Sequence, residues 1–409
     1  MSTVDRVVIV GGGLAGAKAA EALREQGYAG ALTLVGAEDE LPYQRPPLSK
    51  GYLAGTEPWE KALVLTREWY DAHDVELRLG VRADAIDPAA HEVRLADGSS
   101  LGYDRLVLAT GSTPRTLPLP GATATGVHTL RNRADSEAIR SMFGADRRLV
   151  VIGAGWIGLE VAAAARAAGT DVTVVEAADL PLLRVLGPEI AQVFADLHRE
   201  HGVDLRLGAE LSEIRTEDGR ATGVRLGDGE VVEADGVVIG VGVAPNVSLA
   251  EAAGLAVDGG VLVDPSLRTS DPDIYAVGDI ASHDHPVLGR RVRLEHWAGA
   301  YHQPATVAAS ILGGEAVYRE LPYFYTDQYD LGMEYVGDAP PGSYDRVVVR
   351  GDLGTREFVA FWLDSDDHVL AAMNVNVWDV PDLVRPLIAE RRSVDVARLT
   401  DPDVPLSEL

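Results

Sequence analysis

Two short runs of continuous apolar residues open two similar stretches of the chain, VVIVGGGLAGAKAA at 7–20 and VVIGAGWIGLEVA at 150–162. A continuous β-branched run is typical of a strand that is buried on both faces of a parallel sheet. Each run is followed by glycines, by an alanine-rich helical pattern and by a second apolar run, at 31–36 and 171–176. The pattern therefore predicts two Rossmann-like strand–helix–strand units, each with its own sheet, in an α/β protein.

The pattern changes along the rest of the chain. An apolar strand at 105–109 ends in Thr-Gly and is followed by the proline-rich TPRTLPLPG, which is typical of a crossover between domains. Further strands are predicted within 236–246 and 270–281. From about Pro322 the segments DRVVVRG, EFVAFWL and HVLAAMN appear, together with most of the remaining aromatic residues. We predict a C-terminal α+β domain there.

Composition narrows the classes of function. The 409 residues are too many for one ordinary core, and the chain is globular in composition, with 46% hydrophobic and 24% charged residues. A net charge of −27 argues against nonspecific nucleic-acid binding and against anionic membrane surfaces. The chain has no cysteine, which excludes disulfides, zinc–thiolate sites and redox-active thiol pairs. We recognise no signal peptide and no membrane-spanning run, and we predict a cytoplasmic protein.

The glycines of the two stretches have the spacing of dinucleotide-binding loops. In such a loop the first glycine makes a tight turn, the second lets the backbone approach a pyrophosphate, and the third allows a helix to pack closely on a strand. The phosphates lie at the N-terminus of the helix. Because the strand and helix context fits twice, we predict two dinucleotide sites, at Gly11, Gly13 and Gly16 and at Gly153, Gly155 and Gly158.

The acidic residue after each second strand bears on the choice of dinucleotide. Glu176 lies 23 residues past Gly153, close to the spacing of about 20 that is expected for a carboxylate on the ribose hydroxyls. No basic residue follows until Arg184, so nothing nearby would attract a 2′-phosphate. We therefore predict NADH rather than NADPH in the second unit. Glu38 fits the first unit less closely, and an ordinary solvated glutamate explains it as well.

The order of motifs resembles a known family. GxGxxG, RPPLSK, LVLATG, GxGxxGxE and YAVGD follow one another, within LPYQRPPLSKGYLAG (41–55), RLVLATGS (105–112), SDPDIYAVGDIA and LPYFYTDQY. They resemble the FAD-dependent NADH:ferredoxin reductases of the putidaredoxin, rhodocoxin and biphenyl dioxygenase reductase family. The resemblance implies a glutathione-reductase-like fold with an FAD domain at 1–113 and 246–321, an inserted NADH domain at 114–245 and a C-terminal domain at 322–409. It implies FAD and NAD as cofactors, and an iron–sulfur ferredoxin as the partner, with a cytochrome P450 or a Rieske-type oxygenase downstream.

The resemblance also implies roles for individual residues. Lys50 would hold a cation beside the flavin ring and pair with Glu160, although a solvated lysine and an ordinary helix carboxylate are the plain alternatives. Asp279 would bind FAD or merely cap a helix, and Trp297 would pack on the flavin or in the core. The remaining FAD residues would be Gly11, Gly13, Leu14, Ala15, Gly16, Glu38, Arg45, Ala83, Thr110, Gly111, Arg131 and Gly278, and the NAD residues Gly153, Gly155, Trp156, Ile157, Gly158, Glu160 and Glu176.

Other functions are also compatible with these motifs. The electron acceptor of an NADH-dependent flavoprotein can also be rubredoxin or a quinone, and an NADH-sensing interaction protein resembling apoptosis-inducing factor is a non-enzymatic alternative. The proline-broken acidic tail argues against a membrane-bound quinone reductase. His296 and His302 do not have the spacing of a metal motif, and we predict no metal. Arg290, Arg291 and Arg293, with Arg45, are the candidate docking patch for an acidic ferredoxin.

Overall fold

A computed structural model describes residues 4–409 of the chain. They form two compact units, each built from three segments of chain. The first unit comprises the chain up to Arg45, Trp59–Thr113 and Ala244–Tyr323, and the second comprises Pro46–Pro58, Pro114–Val243 and Phe324–Leu409. The second unit thus includes the predicted C-terminal domain and a short segment from within the first 113 residues. The division into three domains stays a prediction.

The strands of residues 4–409 are short, most of them three to seven residues long. They are β1 (Arg6–Val10), β2 (Ala31–Val35), β3 (Val75–Arg78), β4 (Ala83–Asp87), β5 (Glu92–Leu95), β6 (Ser100–Gly102), β7 (Arg105–Leu108), β8 (Ser112–Pro114), β9 (Val127–His128), β10 (Arg148–Ile152), β11 (Asp171–Val175), β12 (Asp204–Arg206), β13 (Leu211–Glu217), β14 (Arg220–Leu226), β15 (Val231–Glu233), β16 (Gly236–Ile239), β17 (Val243–Pro245), β18 (Val261–Val263), β19 (Ile274–Ala276), β20 (Ala281–His285), β21 (Arg290–Val292), β22 (Tyr323–Gln328), β23 (Leu331–Gly337), β24 (Arg346–Asp352), β25 (Glu357–Leu363) and β26 (Val369–Val375).

The helices of the same residues vary more in length. They are α1 (Leu14–Glu25), α2 (Gly51–Ala54), α3 (Arg67–Ala72), α4 (Arg133–Arg140), α5 (Trp156–Ala167), α6 (Leu183–Leu186), α7 (Pro188–Glu200), α8 (Ser248–Ala252), α9 (Trp297–Ile311), α10 (Pro381–Glu390) and α11 (Val396–Thr400). Short 3₁₀ turns lie at Pro46–Ser49, Trp59–Ala62, Gly278–Ile280 and Leu406–Glu408.

Each unit contains a five-stranded parallel sheet around one central strand. The order in the first unit is β19-β7-β1-β2-β3, and the order in the second is β12-β11-β10-β16-β9. The central strands β1 and β10 contain the two apolar runs. In each strand the first residue, an arginine, is exposed and the four residues after it are buried. A three-stranded antiparallel sheet accompanies each, β4-β5-β6 in the first unit and β13-β14-β15 in the second. The predicted α/β architecture of two Rossmann-like folds is therefore observed.

The helices that follow the glycine loops end in the same way. Gly27 and Gly169, with φ of +91° and +82°, lie just past α1 and α5 in the left-handed conformation that glycine adopts readily. The amides of Tyr28 and Thr170 donate back to the carbonyls of Leu23 and Ala165. These are Schellman endings, which turn each chain sharply into its second strand.

The C-terminal segment forms a separate five-stranded sheet, in the order β22-β23-β26-β25-β24. The strands from β23 onward pair antiparallel, and the three strands predicted from DRVVVRG, EFVAFWL and HVLAAMN are β24, β25 and β26. Trp362, Phe358 and Phe361 are fully buried on this sheet. The concentration of aromatic residues in this part of the sequence therefore supplies the core of the sheet.

Candidate functional site

The first glycine loop joins β1 to α1. Gly11 has φ of +134°, and its amide donates to the carbonyl of Val35 on the next strand, at 2.8 Å. A Cβ on Gly11 would overlap the backbone of Ala109, and a Cβ on Gly16 would overlap the carbonyl of Gly11. Gly13 differs, because a Cβ there would meet nothing within 4 Å. The first and third glycines are thus required by packing, whereas Gly13 leaves open space at the helix N-terminus, where a pyrophosphate fits.

The second glycine loop joins β10 to α5 with the same geometry. Gly153 has φ of +99° and donates to the carbonyl of Val175 at 2.8 Å, and its Cβ would lie 2.5 Å from the carbonyl oxygen of Gly240. A Cβ on Gly158 would overlap the Gly153 carbonyl, while Gly155 again has nothing within 4 Å. In both loops the first and third glycines are required by packing and the middle glycine leaves open space, so both loops fit a dinucleotide.

Glu176 lies directly after β11, at the edge of the second loop. Its two carboxylate oxygens accept hydrogen bonds from the backbone amides of Ala154, at 2.7 Å, and Ala178, at 2.9 Å. The carboxylate is therefore held against the glycine loop, and an ionised carboxylate has lone pairs left for two ribose hydroxyls. This geometry supports the predicted role in NAD binding.

Glu38 has different partners in the first unit. Its carboxylate forms an ion pair with Arg45 at 2.7 Å and accepts a hydrogen bond from the Tyr43 hydroxyl at 2.5 Å. The Arg45 guanidinium also lies 4.5 Å from the centre of the Tyr43 ring. Two residues that the resemblance assigns to FAD are thus brought together, with the tyrosine between them as a partner that the sequence analysis did not name.

The Thr110–Gly111 turn is held by three hydrogen bonds to Asn246. The Thr110 hydroxyl donates to the backbone carbonyl of Asn246, and the Asn246 side-chain amide donates to the carbonyl of Thr110, both at 2.8 Å. The backbone N–H of Asn246 donates to the carbonyl of Gly111, also at 2.8 Å. Nothing in the sequence marks Asn246 as a partner of this turn, although it ends the segment 236–246, in which a strand is predicted.

The Gly278–Asp279 turn is anchored by a buried glutamine. The Gly278 amide donates to the Gln303 side chain at 2.7 Å, and the Asp279 carbonyl accepts from Arg293 at 3.1 Å. The residue at the N-cap of this 3₁₀ turn is Val277, so Asp279 is not the capping residue that was the plain alternative. Gln303, on α9, was also missed as a site residue.

Trp297 begins α9 in the first unit. Its indole N–H donates to the Gln44 side chain at 2.8 Å, and its ring stacks on Tyr301 with centroids 4.6 Å apart. The tryptophan is partly exposed rather than buried in the core. The alternative of a core tryptophan is therefore wrong, and contact with FAD stays a prediction.

Lys50 and Glu160 form an ion pair within the second unit, and both side chains are largely withdrawn from solvent, at 15% and 5% exposure. The other Glu160 oxygen accepts from the Ser49 hydroxyl at 2.5 Å, and Thr326 donates at 2.5 Å to the oxygen that faces Lys50. A buried carboxylate is stable only when its lone pairs are satisfied, and three partners do this here. Ser49 and Thr326 carried no separate signal in the sequence, although each lies in a quoted motif.

Two further ionisable groups lie beside this pair. The Lys50 ammonium is 5.5 Å from the centre of the Tyr325 ring. Burial raises the pKa of Tyr325 to about 12, and the neighbouring carboxylates act in the same direction. Burial likewise raises the pKa of the Asp327 carboxyl above its usual value, although Lys50 opposes that shift. The surroundings of Lys50 are therefore a desolvated cluster of charges, which is typical of functional sites.

The other predicted residues lie where the loops place them. Leu14 and Ala15 are buried in the first turn of α1, and Ala83 begins β4. Trp156 packs edge-on against Phe194, with ring centroids 5.5 Å apart. The predicted NAD residue Ile157 is 45% exposed, and Arg131 precedes α4 in the second unit. Their contacts with cofactors stay predictions.

The candidate docking arginines are partly engaged in local contacts. Arg291 forms an ion pair with Asp284 at 2.6 Å, and Arg293 forms one with Glu295 at 2.5 Å. These two carboxylates partly neutralise the positive charge of the arginines, which argues against this segment as a basic docking patch.

Two other kinds of feature are absent from residues 4–409. No group of three or more His, Cys, Asp or Glu side chains in that range could hold a metal ion. No helix of the same range is long and apolar enough to cross a membrane.

Comparison with known proteins assigns the family. Residues 5–304 match the model of the pyridine nucleotide-disulphide oxidoreductases, and residues 323–409 match the C-terminal domain of reductases. The chain belongs to the pyridine nucleotide-disulphide oxidoreductase family. The predicted use of FAD and NAD and the predicted oxidoreductase activity are thereby confirmed. With no cysteine, this member lacks the thiol pair after which the family is named.

Individual relatives span the whole chain. The ferredoxin–NAD(+) reductase component of an anthranilate 1,2-dioxygenase system of Burkholderia cepacia is 44% identical and covers 99% of both chains. Putidaredoxin reductase of Pseudomonas putida is 41% identical over 100% of this chain and 97% of its own. A crystal structure of the covalent putidaredoxin reductase–putidaredoxin complex superposes with a TM-score of 0.95, at 41% identity, over 99% of this chain and 97% of that chain. The predicted resemblance is confirmed.

Proposed function

We propose that the protein passes electrons from NADH, through FAD, to a small iron–sulfur ferredoxin that feeds a cytochrome P450 or a Rieske-type oxygenase. The observation that carries this proposal is the presence of two complete dinucleotide loops in a chain without cysteine. Electrons that enter from NADH have no thiol pair to reduce, so they must leave the chain to an external acceptor. The names of full-length relatives, which are ferredoxin reductases of oxygenase systems, support a ferredoxin in that role.

The two loops would hold the two cofactors. FAD, when bound, supplies the chemistry of accepting two electrons together as a hydride and releasing them one at a time. Gly13 and Gly155 leave their backbones open to the pyrophosphates, and the N-termini of α1 and α5 favour the negative charge. We propose the first loop, with Glu38, Arg45, Thr110, Gly278 and Asp279, for FAD.

The second loop determines the donor. Glu176 is held by two backbone amides in a position to accept hydrogen bonds from the ribose of NADH. A 2′-phosphate would bring negative charge against this carboxylate. The two carboxylate oxygens would then face an anion instead of the hydroxyl donors of a ribose. We therefore propose NADH as the preferred donor.

Lys50 is the residue that we propose to act on charge in the flavin ring. Glu160 and its two hydroxyl partners hold the ammonium in one place, so the cation needs no reorganisation when negative charge develops beside it. That Lys50 and Arg131 act on FAD is supported by the family resemblance. We place the reaction in the cytoplasm, because NADH is a cytoplasmic donor.

The experiment that tests the function compares two acceptors. Purified holoprotein is mixed with NADH and either ferricyanide or an oxidised ferredoxin coupled to cytochrome c. The proposal expects turnover with both, and a dependence on ferredoxin concentration that saturates. Turnover with ferricyanide but with no ferredoxin of any oxygenase system would favour another acceptor, and a long-lived reduced flavoprotein that turns over with neither would favour an NADH sensor.

A further inference from the structure

A continuous chain of hydrogen bonds leads away from Glu160 within the second unit. Thr326 Oγ1 lies 2.5 Å from Glu160 Oε1, and Gln328 Nε2 lies 3.2 Å from Thr326 Oγ1. The Gln328 carbonyl oxygen is 2.8 Å from His198 Nε2, and the Tyr329 hydroxyl is 3.4 Å from His198 Nδ1. The chain therefore joins α5, β22 and α7 through side chains alone.

The direction of every hydrogen bond in this chain follows from its end at Glu160. The carboxylate that pairs with Lys50 only accepts, so the Thr326 hydroxyl must give it its single proton. The Thr326 oxygen then accepts from the Gln328 amide, which leaves the Gln328 carbonyl for His198. That carbonyl requires a proton on His198 Nε2, so Nδ1 accepts from the Tyr329 hydroxyl. All the donors point toward Glu160.

The side chains that form this series of hydrogen bonds are buried. His198, Thr326 and Gln328 are each at most 1% exposed, and buried polar groups of this kind are costly unless they are paired. Burial lowers the pKa of His198 to about 4, so the ring is neutral at pH 7, as the chain of donors requires. Hydrogen bonds that run in one direction polarise one another and strengthen the last of them.

Tyr329 closes the far end of the chain under backbone strain. Its φ of +57° lies in the left-handed region, which is unfavourable for a bulky residue. Its ring stacks on His201, with centroids 3.7 Å apart and planes 11° apart. A tyrosine is thus held in an unfavourable conformation that brings its hydroxyl to His198.

We propose that Thr326, Gln328 and His198 are positioning residues for the Lys50–Glu160 pair: their hydrogen bonds fix the orientation of the Glu160 carboxylate and thereby the place of the Lys50 ammonium during reduction of the flavin by NADH. This inference rests on the proposed function of that pair. Without the Thr326 hydroxyl, Glu160 Oε1 would keep only Lys50 as a partner, and both side chains would gain rotational freedom.

The first test removes the hydroxyl without changing the volume of the side chain. We expect Thr326→Val to slow stopped-flow reduction of the flavin by NADH about tenfold, at saturating NADH and with NADH affinity unchanged, and Thr326→Ser to restore most of the rate. Thr170→Val is the matched control, because Thr170 is also fully buried in the second unit and its hydroxyl oxygen also accepts a hydrogen bond, from Gly144. An equal loss of rate in Thr170→Val would assign the effect to general destabilisation and overturn the inference.

The second test measures the tautomer of His198 directly and does not depend on enzyme turnover. Nitrogen NMR of the holoprotein labelled with ¹⁵N-histidine should show His198 in the neutral form protonated on Nε2, assigned by loss of its signals in His198→Asn. Gln328→Met should remove the preference for that tautomer. A ring protonated on Nδ1 in the wild-type protein would overturn the proposal, whether or not the Thr326 variants fold.

The outcomes separate this inference from the proposed function. If NADH does not reduce the flavin of the wild-type protein, the proposed function fails. If NADH reduces the wild-type protein and Thr326→Val at the same rate, only the positioning role fails.

Discussion

The two glycine loops differ in their side chains and hardly at all in their backbones. Their helices α1 and α5 are both 12 residues long, both begin after a glycine N-cap and both end in a Schellman turn. Seven residues after the first glycine, however, the first helix carries Lys18 and the second carries Glu160. Lys18 pairs with Glu21 on its own helix, whereas Glu160 pairs with Lys50 from a distant segment. Packing determines the shared backbone, and single equivalent positions carry the differences in chemistry.

The largest expected effect comes from making the second helix resemble the first at that position. Glu160→Lys would place a second cation beside Lys50 at a site that is 5% exposed. An uncompensated buried charge typically costs about 3–5 kcal/mol, so we expect a large loss in the free energy of unfolding or failure to fold. Urea unfolding followed by circular dichroism measures it, with Lys18→Met as the comparison in the first helix. A Glu160→Lys protein as stable as the wild type would show that the pair is not buried in solution.

The next effect separates the two kinds of glycine. Gly158→Ala puts a methyl group into the Gly153 carbonyl, so we expect a loss of about 3 kcal/mol in the free energy of unfolding. Gly155→Ala meets only open space, so it should leave stability nearly unchanged and weaken NADH binding instead. Thermal unfolding and NADH titration of both variants test the distinction. Equal stability losses at the two positions would contradict it.

Lowering the pH should reduce the free energy of unfolding of the first unit more than that of the second. Burial lowers the pKa of His283 and His296 in the first unit, and of His198 in the second, to about 4. Burial lowers the pKa of His128, also in the second unit, as well. Between pH 6.5 and about 4 the unfolded chain binds protons at these rings that the folded chain does not, so stability falls as the pH is lowered through this window. The first unit should lose more.

The measurement for this prediction follows the cofactor of the first unit. Release of FAD, read by flavin fluorescence, should precede the loss of helical circular dichroism as the pH is lowered from 7 to 4. His283→Leu removes one of the titrating rings and should shift FAD release to lower pH. Release at an unchanged pH in that variant would show that carboxylates, rather than buried histidines, control the transition.

The smallest expected effect concerns the acidic residue after each second strand. Glu176→Ala should reduce the preference for NADH over NADPH in kcat/KM about tenfold, because it removes an attraction to the ribose and a repulsion of the phosphate. Glu38→Ala, which removes the nearest carboxylate after β2 in the first unit, should leave that preference unaltered. Steady-state kinetics with ferricyanide and both donors tests the pair. An unchanged preference in Glu176→Ala would mean that other residues select the donor.

The sequence predicts most of the backbone because local signals and packing agree there. Both βαβ units and the three strands β24, β25 and β26 follow from apolar runs, glycines and alternation. The separation of roles among the glycines was predicted too, and the open space at Gly13 and Gly155 agrees with it.

The sequence does not predict which side chains meet over long separations. Asn246, Gln303, Thr326 and His198 have ordinary surroundings in the sequence, and each acquires its role only through a partner 25 to 166 residues away. The grouping of Pro46–Pro58 with the second unit is likewise a property of tertiary packing. No periodicity or composition marks that segment off from its neighbours.

The division of both units into three segments has a consequence for synthesis of the protein on the ribosome. The chain passes from one unit to the other at residues 45–46, 58–59, 113–114, 243–244 and 323–324. The first unit lacks a strand-bearing segment until Tyr323 has been made, and the second is incomplete until the last 86 residues, from Phe324 to Leu409, have emerged. Domains usually fold one after another as they are synthesised. The parallel sheet of the second unit, β12-β11-β10-β16-β9, lies wholly within residues 114–243, whereas β7 of the first unit must wait for β19 in the last segment of that unit. A chain that stops between residues 243 and 274 would therefore complete the parallel sheet of the second unit and leave that of the first without an edge strand.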